Sequence, residues 1–185
     1  MSAGSAKTLR PGASSFYDLT LSGAGSWSFV DANATTSRHT VITAGTLTAP
    51  SGVFAIGGSF AKNGGTFTHN SGTLKFTAPS AQTIRLNSSD AYNMTFNGSG
   101  SWSFVDANAT LVNTMRFEAG TVTLASGTLT LGGSLLNQSG AFTHNSGTVR
   151  FNSTDTGETI QPGTSPFHHL TLDSASGGWT ITQNA

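Results

Sequence analysis

The chain has 185 residues, no cysteine and a formal net charge of zero, and charged residues make up 9% of it, against about 25% in an ordinary soluble domain. Without cysteine it can form neither disulfides nor thiolate metal sites. Without a basic excess, nothing steers it toward nucleic acid or an anionic membrane surface, and no apolar run is long enough to cross a membrane. We therefore expect no nucleic-acid partner and no membrane insertion.

The amino-terminal stretch MSAGSAK lacks the apolar core of a signal peptide. If the protein is exported, we expect the chain to be a fragment of a longer precursor, with signal and anchor outside it.

Short alternating segments follow along the chain, and glycine, serine or asparagine separates them. Examples in chain order are TLKF (73–76), TVTL (121–124), TLTL (128–131) and TVRF (148–151). Alternation of apolar and polar residues with turn residues between the runs is typical of short strands joined by tight turns. No segment has a helical period, so the sequence predicts an all-β protein.

The chain contains a long internal repeat. GSWSFVDANAT occurs at 25–35 and again at 100–110, and FTHNSGT occurs at 67–73 and, at the same offset, at 142–148. We divide the chain into unit one (1–80), unit two (81–156) and a partial third unit (157–185), all within one continuous fold. Because one such unit cannot bury its own faces, the repeat predicts stacking into a shared core.

Glycines recur at 25, 45 and 65 and again at 100, 120 and 140, which suggests about four coils in each 75-residue unit. The resulting prediction is a β-solenoid, similar to a parallel β-helix. Trp27 and Trp102 would then lie on one line, about 19 Å apart at about 4.8 Å per coil. A β-sandwich and propeller blades are the alternative architectures.

Differences between the copies predict which side chains face the core. Val41 becomes Arg116, which only a wet face tolerates, so its neighbours Ile42 and Phe117 should point inward. The same alternation places Tyr17 and Tyr92 in phase with the inward positions, so their hydroxyl groups should reach a turn or the surface. It also identifies aromatic residues as the anchors of the repeat: Trp27, Trp102, Trp179, Phe29, Phe104, Phe67, Phe142, Phe76 and Phe151.

The segments GTLTAPSGVFAIGGSF, GTFTHNSGTLKF and FYDLTLSGAGSW resemble the repeats of bacterial cell-surface adhesin-like β-solenoids, loosely those of filamentous haemagglutinin and autotransporter passengers. This resemblance covers nearly the whole chain. It implies an extracellular or cell-surface location and a structural or adhesive role.

Two polar groups recur between the complete copies. Asp31 and Asp106 are the acids kept in both, and we interpret each as a turn residue that bonds its own backbone. His69 and His144 precede a turn without a recurring second ligand, which favours corner packing over a metal site. The sequence gives no catalytic, metal or cofactor-binding residue, so we expect no cofactor and no enzymatic activity.

The leading hypothesis is a non-catalytic, rigid spacer of a surface or fibre protein. Since neither end carries a recognisable cap, its expected partner is itself, end to end or within a longer array. Surface glycans are a second candidate partner. The alternative functions are a glycan-binding module, a polysaccharide-active β-helix enzyme and, from paired threonines such as Thr46/Thr48 and Thr121/Thr123, an ice-binding protein.

Overall fold

The computed structural model describes residues 6–183 and contains strands, turns and bends but no helix there. Each strand has three or four residues. In chain order the strands are β1 (Lys7–Leu9), β2 (Leu19–Leu21), β3 (Ser26–Phe29), β4 (Ala34–Thr36), β5 (Thr40–Ile42), β6 (Thr46–Thr48), β7 (Val53–Ile56), β8 (Phe60–Lys62), β9 (Thr66–Thr68), β10 (Thr73–Phe76), β11 (Gln82–Arg85), β12 (Asn93–Phe96), β13 (Ser101–Phe104), β14 (Ala109–Leu111), β15 (Met115–Phe117), β16 (Thr121–Thr123), β17 (Thr128–Leu131), β18 (Leu135–Asn137), β19 (Ala141–Thr143), β20 (Thr148–Phe151), β21 (Glu158–Gln161), β22 (His169–Leu172) and β23 (Trp179–Ile181).

These strands form four parallel sheets. In order of neighbours, sheet A is β1-β3-β6-β9, sheet B is β4-β7-β10-β12-β15-β18-β21-β23, sheet C is β2-β5-β8-β11-β13-β16-β19, and sheet D is β14-β17-β20-β22. The chain visits A, B and C in turn until β11, after which sheet D takes the place of sheet A in the cycle. The fold is therefore a three-sided β-solenoid of about nine turns, which confirms the β-solenoid that the internal repeat predicted.

Most complete turns of the solenoid have the same length. Trp27 pairs with Leu47, and Leu47 pairs with Phe67, so the ladder advances by a constant step in sequence. The turn lengthens where Phe60 pairs with Ile84 and where Leu135 pairs with Ile160. The parallel ladder of sheet B crosses both boundaries between the sequence units without a break, while sheet C crosses the first boundary and sheet D crosses the second.

The core is a single apolar column inside the three sheets. On sheet B the rings of Phe76, Phe96 and Phe117 lie one above another, with centroids 5.2 and 5.5 Å apart and interplanar angles of 14° and 12°. Stacked aromatic pairs contribute about 0.5–1.5 kcal/mol each beyond the area they bury. The inward assignment of Ile42 and Phe117 is confirmed, since both are fully buried while Val41 and Arg116 are half-buried on the outer face.

The expected four coils per repeat unit are not confirmed. Trp27 lies in sheet A and Trp102 in sheet C, so the two do not stand on one face. Unit one supplies ten strands, β1–β10, and an eleventh strand position at Phe16, which forms an isolated parallel bridge with Thr36. Because each turn has three sides and eleven positions make three turns and two sides, each copy begins one side short of the place where its predecessor began.

Candidate functional site

The aromatic anchors named from the repeat lie in the core, with one exception. Eight of them are buried: Trp27, Trp102, Phe29, Phe104, Phe67, Phe142, Phe76 and Phe151. Trp179 is half-buried and meets Phe151 edge to face, with ring centroids 6.1 Å apart. Its position differs because it belongs to the last described coil, which no further coil covers.

Each fully buried tryptophan packs against a turn glycine of the following coil. Gly45 and Gly120 have φ values of +74° and +69°, in the left-handed region that favours glycine. A Cβ atom on Gly120 would lie 2.9 Å from the Trp102 ring and 2.4 Å from the carbonyl oxygen of Gly100. The recurring glycine thus makes room for both the indole and the neighbouring backbone.

The two recurring aspartates bind backbone from the preceding coil. Asp31 Oδ2 accepts the amide hydrogen of Gly12 at 2.9 Å, and Asp106 Oδ2 accepts those of Leu86 at 2.6 Å and Asn87 at 2.9 Å. The interpretation of an aspartate that bonds its own turn is therefore wrong. Each carboxylate instead ties two successive coils together at a corner.

The recurring histidines complete a turn, as the sequence favoured. Nδ1 of His69 and of His144 accepts the amide hydrogen two residues on, from Ser71 and Ser146, at 2.9 Å in both copies. The intervening Asn70 and Asn145 have positive φ and donate to carbonyl oxygens one coil below, at 3.1 Å. The repeated HNS triplet is thus a turn that also fastens adjacent coils.

A second corner is closed by an inward polar side chain, which the sequence did not reveal. Lys62 is buried, and its Nζ donates to the carbonyl oxygen of Asn87 at 2.9 Å. In unit two the equivalent Asn137 is also buried and donates through Nδ2 to the carbonyl oxygen of Pro162 at 2.9 Å. Both bonds reach the longer turns, where a loop without regular strand pairing must satisfy its carbonyl groups by other means.

The remaining acids are scattered over the surface. Glu118 accepts from Asn97, Glu158 accepts from Ser134, and Asp173 pairs with Arg150. Within residues 6–183 no group of three or more histidine, aspartate or glutamate side chains is placed to hold a metal ion. The same part of the chain has no helix long and apolar enough to span a membrane.

No protein-family model matches the chain, and no curated protein or solved structure is significantly similar to it.

The paired threonines are divided among the sheets. Thr46 and Thr48 on β6 pair with Thr66 and Thr68 on β9, which gives two outward columns of hydroxyl groups on sheet A. The pair Thr121/Thr123 lies on sheet C, and Thr128/Thr130 lies on sheet D. Since sheet D takes the place of sheet A, these hydroxyl groups are spread over two sides of the solenoid.

One inward assignment at a corner is wrong. Tyr17 is 67% exposed, and the guanidinium of Arg38 lies 5.0 Å from its ring centroid. Tyr92 is half-buried beside His69. Alternation of side chains requires extended backbone, and both tyrosines lie at the bend that leads into a strand.

The last described coil leaves apolar positions open. Leu170, Leu172 and Ile181 are 39%, 50% and 59% exposed, although they stand in register above Val149, Phe151 and Ile160, which are buried. β22 and β23 are also the edge strands of sheets D and B, so one side of each backbone is unpaired within the described chain. This surface, made by β22 and β23, is called the open coil below.

Proposed function

We propose that this chain is a non-catalytic, rigid structural segment of an extracellular surface or fibre protein, and that it associates end to end through its terminal coils. The open coil carries this proposal. It combines three exposed apolar side chains in core register with two free parallel strand edges. In the interior of the solenoid, the same two features of each coil, its apolar side chains and its strand edges, are covered by the next coil.

The opposite end supplies a matching surface. β1 and β2 are the edge strands of sheets A and C, and Phe16 is the first bridge position beside sheet B. Leu9, Leu19 and Leu21 point into the core there. Placed on the open coil of a second copy, these strands would extend the parallel ladders by main-chain hydrogen bonds, as strand addition does elsewhere.

Repeated contacts between coils in the interior support the proposal that the solenoid is rigid. Side chains such as Asp106 and Asn145 fasten each coil to its neighbour, and the apolar column runs through all coils. About nine turns at about 4.8 Å each make a rod about 43 Å long. Joined copies should therefore form rods whose lengths are multiples of that value.

Sedimentation velocity over a concentration series, with negative-stain images of the same samples, tests the association. We expect the wild-type chain to form lengthening rods, and the double substitution Leu172→Lys with Ile181→Lys to leave it monomeric, because two charges would be buried at the junction. Val105→Lys is the matched control, since Val105 is 45% exposed at a corner away from the open coil. The proposal is contradicted if the wild-type chain stays monomeric at high concentration. It is also contradicted if Val105→Lys prevents association as completely as the double substitution does.

The location is tested separately by protease treatment of intact cells that express the parent protein. We expect the segment to be accessible from outside. Protection of the segment until the cells are lysed would contradict an extracellular location.

A further inference from the structure

A polar groove opens on sheet B beside strands β10, β12 and β15, mostly in unit two. It has a volume of about 280 Å³ and is lined by Thr73, Asn93, Met94, Thr95, Asn113, Thr114 and Arg116. Since the Met94 side chain is fully buried, the walls consist of hydroxyl groups, carboxamides and one guanidinium. We call this surface the Arg116 groove.

The guanidinium of Arg116 has no partner of its own. Within residues 6–183 neither ion pair involves it, and it makes no side-chain hydrogen bond. On the outer face of sheet B, Thr95 lies directly between Lys75 and Arg116 in the register of three adjacent strands. Lys75 is likewise unpaired, so two free cations flank one threonine about 10 Å apart, which is two strand spacings.

Comparison of the two copies indicates what is special here. In unit one the equivalents of Asn93, Asn113 and Arg116 are Asp18, Arg38 and Val41. There the carboxylate of Asp18 lies 3.6 Å from Arg38, and the Tyr17 hydroxyl, followed by Asp18, raises the pKa of Arg38 above its ordinary value.

Unit two replaces this neutral pair with two carboxamides and places the positive charge on the strand, with no carboxylate against it. Asn93 Oδ1 accepts the amide hydrogen of Thr114 at 3.1 Å, which leaves the Asn93 amide hydrogens free to donate outward. In unit two the Thr114 hydroxyl also donates to Asn113 Oδ1, at 3.4 Å, so within the described residues the amide groups of Asn93 and Asn113 and the guanidinium of Arg116 are donors without an acceptor.

We propose that the Arg116 groove binds a carboxylate-bearing sugar unit of an acidic polysaccharide. The planar fork of an arginine matches a carboxylate with two parallel hydrogen bonds. Threonine hydroxyls and asparagine amides supply the donors and acceptors that sugar hydroxyl groups require, and the volume is suited to a single sugar unit at the small end of ligand sites. Because the groove is open along the sheet, a chain can continue past it toward Lys75.

A polysaccharide fits these observations better than a nucleic acid. Phosphate-backbone binding needs a run of cations, whereas this chain has a formal net charge of zero and two free cations at the groove. The groove is on the side of the rod, so it does not depend on the end-to-end association proposed above.

Isothermal titration with oligogalacturonate, the probe for an acidic sugar chain, tests the inference. We expect one site per chain, and binding weaker by roughly tenfold or more in Arg116→Gln, since a charge-assisted pair is lost. The matched control is Arg85→Gln, which removes an unpaired cation on sheet C, outside the groove. A decisive variant installs the unit-one residues together, Asn93→Asp, Asn113→Arg and Arg116→Val, and should abolish binding while thermal melting shows that the fold is kept.

Several results would overturn the inference. Arg85→Gln could weaken oligogalacturonate binding as much as Arg116→Gln does, or the methyl-esterified oligosaccharide could bind as tightly as the acid. An oligonucleotide of matched charge could displace oligogalacturonate at a lower concentration, or oligogalacturonate could fail to bind at all. Each of these outcomes can occur whether or not the rods lengthen, so this test and the association test fail independently.

Discussion

Trp102→Ala would open a cavity inside the core of the solenoid. The indole is fully buried, and its ring centroid lies 5.4 Å from that of Phe96 and 6.4 Å from that of Phe76. These neighbours are held by adjacent coils of the same ladder, so they cannot move together to fill the space. Truncation of a buried tryptophan costs about 3–5 kcal/mol.

A second term reduces this loss. Within the described chain the Nε1 donor of Trp102 is buried without a hydrogen-bond partner. An unsatisfied buried donor costs about 1–3 kcal/mol, and alanine removes it. We therefore expect Trp102→Ala to lower the free energy of unfolding by about 2 kcal/mol, the difference between the middles of these two ranges. Trp102→Phe, which keeps most of the volume and also removes the donor, should stay within about 1 kcal/mol of the wild type.

Urea unfolding followed by circular dichroism measures both values. Arg116→Ala is the surface control and should change stability by no more than about 0.5 kcal/mol. If Trp102→Ala and Arg116→Ala have equal effects, the assignment of faces is wrong. If Trp102→Phe is as damaging as Trp102→Ala, the loss does not come from the cavity, because both variants remove the Nε1 donor and only alanine removes most of the volume.

Two further substitutions test the corners. Gly120→Ala should destabilise the chain by at least about 2 kcal/mol, because the added Cβ would meet both backbone and the Trp102 ring. Gly12→Ala should cost about 1 kcal/mol, since Gly12 has a similar φ of +59° but open space around it. Equal losses of stability in thermal melts would show that the close approach at Gly120 does not matter. Asp106→Ala should cost about 1–3 kcal/mol, because two amide hydrogens lose their acceptor. Asp90→Ala should be neutral in the same urea melts, because Asp90 is exposed and its side chain forms no hydrogen bond or ion pair within residues 6–183. A neutral Asp106→Ala would mean that water replaces the carboxylate without loss.

The orientation of side chains within strands could be read from the sequence, because substitution between copies reports exposure directly. A valine that becomes Arg116 can lie only on the outer face, and the structure confirms it. At corners the same rule failed for Tyr17, since the backbone bends there and alternation ends.

The size of a coil was harder to predict. A regular interval is visible between Gly25, Gly45 and Gly65, but the longer turn that follows obscures how many sides a coil has. The repeat unit comprises eleven strand positions, and because a turn uses three, the unit does not fill a whole number of turns. Only the pairing of strands reveals that successive copies are displaced by one side.

The candidate surfaces depend on contacts between coils, which no local motif encodes. Asp106 meets Leu86 and Asn87 because they are one turn apart, and the Arg116 groove combines residues of three adjacent coils. The open coil is recognisable only when Leu172 and Ile181 are seen in core register without a cover.

Disulfide trapping tests the three-sided stack most directly, since the chain has no cysteine of its own. Ala61 and Arg85 are register partners on the outer face of sheet C, and paired parallel strands are about 4.8 Å apart, close enough for a disulfide. If each repeat unit instead filled a whole number of turns, β11 would continue sheet A beside β9, and Thr68 would lie next to Thr83. We predict that the double variant Ala61→Cys with Arg85→Cys forms an intramolecular disulfide on mild oxidation, detected by peptide mass mapping, and that Thr68→Cys with Thr83→Cys does not. A crosslink in the second variant and none in the first would contradict the fold described here.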